Sequence, residues 1–136
     1  MAQESQTLSN VIPVLVAALV CDVAIADPSS AKKNLIGIFD RVIVMKFPTQ
    51  RPMSLYAKVT DAEGYYQTEI RYIQISSGKM LAKANGELNS KSRLASTDVI
   101  INFPPLPIPI EGRYEFQVWV NSIFLGATFV DAVQRS

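Results

Sequence analysis

The sequence predicts an all-β fold, an antiparallel β-sandwich of about seven to nine strands in a single domain. Three observations predict it. No stretch keeps a helical period over three turns, several keep period two, and clusters of turn formers recur roughly every 8 to 15 residues. Of the 136 residues, 49% are apolar and 18% charged, a balance that excludes a disordered chain.

Residues 11–26, VIPVLVAALVCDVAIA, read as a long, largely buried strand, since Val and Ile recur on both faces. The same run admits a core helix through residues 16–20. Residues 1–10 contain no Lys or Arg, so a secretory leader is not expected, and Pro13 and Asp22 break the run short of the about 20 apolar residues of a membrane helix. A cytoplasmic protein without membrane contact is the expectation. Asp27-Pro28-Ser29-Ser30 forms a turn, and residues 35–47 return as the hairpin partner. Asp40-Arg41 interrupts that partner, marking a bend or bulge where the strand crosses from one sheet to another.

Pro48 and Pro52 bracket a polar loop. Leu55, Ala57 and Val59 then alternate with Tyr56 and Lys58, so one face is buried. The turn formers at residues 61–64 lead into residues 65–75, read as the partner of the same hairpin. Ala82, Ala84, Gly86 and Leu88 share one side of a thinly packed edge strand. After a strand at residues 98–103, Pro104, Pro105, Pro107 and Pro109 impose an extended crossover. Tyr114, Phe116, Val118 and Val120 then point inward, and Asn121-Ser122 turns the chain into residues 123–130. The domain is expected to span 11–131, between a polar leader at 1–10 and a polar tail at 132–136.

Gly112, Tyr114 and Phe116 have the spacing of a tyrosine corner, in which a Tyr near the start of a late strand returns its hydroxyl to upstream backbone. An ordinary packed core Tyr is the other reading.

The stretches VLVAALVCDVAIAD, KKNLIGIFDRV, KFPTQRPMSLYAKVTDAEGYYQTEIR and GRYEFQVWVNSIFLG resemble a bacterial domain family of unknown function. Its members share a Cys-Asp first strand, a Lys-x-x-Leu-Ile-Gly-Ile-Phe-Asp second strand, a Pro-bracketed loop before a Tyr-Ala-x-x-Thr-Asp strand, and a closing Gly-Arg-Tyr-x-Phe-x-Val hairpin. The resemblance covers nearly the whole chain and is loosest over residues 79–98. It implies an immunoglobulin-like β-sandwich and carries no activity and no catalytic residue with it.

The composition argues against catalysis. Without histidine the commonest general base and transition-metal ligand are both missing. Cys21 has no basic neighbour in sequence to lower its pKa and reads as a buried structural thiol. Asp22, Asp40 and Arg41 fall within apolar strands and are expected to form a structural charge pair; with Asp61 and Glu63 they lack the spacing of a metal loop. No metal, cofactor or catalytic residue is expected. A net charge of +1, with Lys79, Lys91 and Arg93 in a diffuse basic zone, gives nucleic acid no field to follow.

Two functions remain. The first is a non-catalytic structural or interaction module that self-associates, as a homo-oligomer or filament, or docks on a protein. Outward Trp119 and the low charge fraction support it, and strand addition across chains could hold the polar ends. The second is a small-ligand or carbohydrate-binding module using exposed rings of Trp119, Tyr56, Tyr65 and Tyr66.

Overall fold

Residues 7–135 are described by a computed structural model, and they contain eleven strands and no helix. In chain order these are β1 (Val14–Ala26), β2 (Lys33–Ile38), β3 (Arg41–Val44), β4 (Thr49–Arg51), β5 (Ser54–Thr60), β6 (Gly64–Gln74), β7 (Lys79–Ser90), β8 (Thr97–Asn102), β9 (Leu106–Ile108), β10 (Gly112–Val120) and β11 (Ile123–Gln134). A four-stranded sheet in the order β2-β1-β5-β8 packs on a five-stranded sheet in the order β3-β11-β10-β6-β7. A short ribbon of β4 and β9 lies beside them. The number exceeds seven to nine because β3, β4 and β9 hold only three or four residues each, too few for a periodic signal.

The topology is immunoglobulin-like. An early strand, β3, runs parallel to the last strand, β11, while every other pairing between named strands is antiparallel. The chain changes sheets at Phe39 and Asp40, between β2 and β3. β10 and β11 form the closing hairpin, where Asn121 and Ser122 take φ of 48° and 64°, the twist that a tight two-residue hairpin requires.

Inward residues of both sheets meet in one core. Leu55, Ala57 and Val20 face Tyr72, Phe116 and Val118, all buried. Tyr72 stacks on Tyr114 with centroids 5.6 Å apart, and Phe116 packs 5.0 Å from Tyr72. Three buried tyrosine hydroxyls reach the connections between sheets. Tyr114 donates to Ile110 O (2.6 Å) and accepts from Ile110 N–H (3.1 Å), which is a tyrosine corner built with Gly112 at φ 143°. Tyr72 donates to Pro107 O (2.9 Å), and Tyr66 donates to Val11 O while accepting from Glu63 N–H.

Four expectations need correcting. β5 and β6 are not a hairpin: residues 61–63 carry the chain from one sheet to the other, Asp61 taking φ 57° and Ala62 fully buried. The turn formers that close a hairpin serve a crossover equally well. β1 is not buried on both faces, since Val14, Val16, Leu19, Val23 and Ile25 are exposed. Residues 132–134, expected in a polar tail outside the domain, continue β11, and Ala132, Val133 and Gln134 pair with Val42, Ile43 and Val44. The leader is not separate either, because Leu8 bridges Tyr65 and Ser9 N–H donates to Tyr65 O. Residues 1–6 and 136 lie outside the described part.

Replacing Tyr114 with Phe is expected to lower stability by about 1–2 kcal/mol, because the part-buried N–H and C=O of Ile110 each lose a partner. Tyr72→Phe leaves a single carbonyl, so it should cost less. Urea denaturation of the two variants, compared by midpoint, checks this order.

Candidate functional site

The two outer faces of the sandwich differ in chemistry. On the five-stranded sheet, alternation along β6, β7 and β10 turns Gln67, Glu69, Arg71, Asn85, Glu87, Glu115, Gln117 and Trp119 outward. These side chains are largely paired with one another. Gln117 donates to Glu115, the Trp119 indole N–H donates to Gln117 Oε1 (3.0 Å), and Arg71 forms an ion pair with Glu69. The Arg71 guanidinium sits 3.9 Å from the Trp119 ring centroid, and Phe124 meets the ring at 5.4 Å. Beside Trp119 lies an open trough of about 470 Å³, whose walls include Gln67, Asn85, Glu87 and Asn121.

The four-stranded side is apolar where β1 and β2 meet water. β1 outruns β5, and side chains from the neighbouring strands occupy its free edge. Asn102 bonds both the N–H and the C=O of Ala24, and Ser54 Oγ donates to Asp22 O. The far end of the β1–β2 ribbon reaches the outer side of β8, where Lys33 Nζ lies 3.5 Å from Asp98 and Tyr56 donates to Asp98 (2.6 Å). The ribbon presents its own apolar face outward. Val23 and Ile36 are cross-strand partners at 42% and 54% exposure, flanked by Ile25 and Ile38 at 45% and 56%. Four large aliphatic side chains therefore lie together in water.

The aromatic residues singled out in the sequence do not form one surface. Tyr56 is half-buried on the four-stranded sheet, Tyr65 is half-buried on the other with its hydroxyl on Glu87, and Tyr66 is a core residue. Tyr66 therefore cannot serve as an exposed ring. Trp119 does point outward but is half-covered by Arg71 and Phe124.

The charge pair also differs. Asp22 binds Arg51 (2.8 Å), not Arg41, while Asp40 makes no ion pair among the described residues. Arg51 also lies 4.7 Å from the Phe39 ring. Gly37, at φ 69°, leaves the space for this carboxylate, and a Cβ there would collide with Asp22. Arg41 instead lies opposite Asp131, whose carboxyl is held low chiefly by its hydrogen bond from Arg113.

Cys21 is fully buried; burial and the Asp22 charge push its thiol up, so it is protonated at neutral pH. Asp61 and Glu63 are exposed at the β5–β6 crossover. Among the described residues no three Cys, Asp or Glu side chains gather to hold a metal. The exposed quartet on the ribbon escaped the sequence reading, because an apolar run cannot reveal which of its faces lacks a neighbour.

Residues 16–129 match the model of a family described as "Family of unknown function (DUF6941)". No curated protein matches the chain. A solved immunoglobulin-like protein from Pseudomonas aeruginosa is similar over 97% of this chain and 99% of its own, at 12% identity and a TM-score of 0.35.

Tyr56 yields a pH test of the ribbon's seat. Burial, then the hydrogen bond to Asp98, raises its phenol to about 12, against about 10 when unfolded. The neutral phenol is the form that folding favours. Its contribution is therefore full below pH 10 and is lost as pH rises toward 12. Unfolding midpoints measured across that window should fall less steeply in Tyr56→Phe than in the wild type.

Proposed function

Because the chain belongs to the family of unknown function DUF6941, its role has to be read from its own surfaces, and we propose that it is a non-catalytic interaction module that docks on another protein through the β1–β2 ribbon. The observation that carries this reading is the exposed quartet Val23, Ile25, Ile36 and Ile38. A contiguous apolar face of this kind gains free energy when a partner removes it from water. The absence of histidine and the protonated, buried thiol of Cys21 support a non-catalytic role. With a photo-crosslinking residue at position 38, the protein is expected to capture a discrete partner in its native cells. The same residue at position 124, on the other sheet, should not capture it, and Ile36→Lys should abolish the capture. Position 38 yielding no discrete product would overturn the reading.

The trough beside Trp119 favours a second reading, a site for a small polar ligand such as a saccharide. Amides of Gln67 and Asn85 and the carboxylate of Glu87 provide donors and acceptors there. Arg71 already occupies one face of the indole, which weakens it. Trp119 is the only tryptophan, so saccharide titrations read by its fluorescence should saturate and lose amplitude in Asn85→Ala if this reading holds.

A further inference from the structure

We propose that two copies of this chain pair antiparallel along β7, with a twofold axis at Asn85, joining their five-stranded sheets into one. This goes beyond docking through the ribbon and uses a different surface. Among the described residues, β7 is the outer strand of its sheet and pairs only with β6. It is also the longest such edge, 12 residues against six each for β2 and β8 and four for β3. An edge of that length carries a row of backbone groups able to pair with another strand. It contains no proline.

The side chains of β7 select the register. From Ala82 to Ser90 the strand is regular; the irregularity lies at Leu81, where Tyr72 pairs with Ala82 and Ile73 with Met80. Lys83, Asn85 and Glu87 point outward, and Ala82, Ala84, Gly86 and Leu88 belong to the opposite face. A twofold axis perpendicular to the sheet keeps like faces together, so registers that pair an outward residue with an inward one are excluded. Of the remaining registers, only the axis at Asn85 sets Lys83 opposite Glu87 of the second copy, and it does so twice by symmetry. Ala84 then faces Gly86, where neither side chain obstructs the approach, and Ala82 faces Leu88.

Charges on an edge strand commonly deter pairing. Here they stand symmetrically about the strand centre with opposite sign, so they oppose other registers and favour this one. Tyr65, on the neighbouring β6, donates to Glu87 Oε1 at 3.0 Å and fixes that carboxylate on the outward face.

Sedimentation equilibrium across a wide concentration range tests the pairing. The wild type is expected to dimerise. Lys83→Glu and Glu87→Lys should each weaken the dimer by about tenfold, since each places like charges opposite one another twice. The double swap should restore affinity to within about threefold of wild type, which no effect on the monomer alone would do. Asn85→Cys should cross-link to itself on oxidation, because antiparallel partners lie about 4.5–5.5 Å apart between Cα atoms, within disulfide reach. A wild type that stays monomeric throughout would overturn the proposal, as would a double swap that fails to recover. A dimer lost in Ile36→Lys but kept in both charge variants would place self-association on the ribbon and overturn it too. The ribbon capture experiment stands or falls separately.

Discussion

A sandwich must carry its chain between two sheets, and at each passage the backbone leaves the ladders that satisfy its donors and acceptors. In this chain buried tyrosine hydroxyls take up that task. Tyr66 serves the β5–β6 passage at Glu63 and also holds Val11 of the incoming chain. Tyr72 and Tyr114 serve the proline-rich passage before β10, at Pro107 and Ile110. A proline segment lacks N–H groups but keeps its carbonyls, so it needs donors from outside, and phenols are well suited to a position with an apolar body and one polar tip. The remaining architecture depends on these ties. Without them the inward stack of Tyr72, Tyr114 and Phe116 would have no fixed height between the sheets.

How much of this was legible follows from what a one-dimensional pattern can encode. Alternation in β5 and β10 specified both faces, because one side packs in the core and the other meets polar surroundings. Asp40-Arg41 marked the change of sheet, because charges are poorly tolerated inside an apolar strand. The β5–β6 connection misled, since a turn with Asp and Gly looks the same whether the next strand returns to its own sheet or leaves it. β1 misled for another reason. Its two apolar faces suggested burial on both sides, but the described residues cover only one.

That second discrepancy is the informative one. Evenly spread, the low charge fraction would give two moderately polar outer faces. Instead Glu69, Arg71, Lys83, Glu87 and Glu115 coat the five-stranded sheet, and the β1–β2 ribbon is left with aliphatic residues. Trp119, which the sequence offered as the mark of a contact surface, belongs to the polar side and has its ring occupied by Arg71. Charge patterning around an aromatic residue therefore says more about its availability than its outward parity does.

The two proposed contacts fall on different layers, and that placement has a consequence. Pairing along β7 extends the five-stranded layer sideways and leaves the four-stranded layer of each copy as it was. The ribbon, at the β2 margin of that other layer, stays open in both copies. A dimer formed this way would present two apolar ribbons held at fixed separation, so a partner carrying two matching sites would bind the second one as an intramolecular step. Weak contact at each ribbon, the expectation for only four aliphatic side chains, would then suffice for a durable complex.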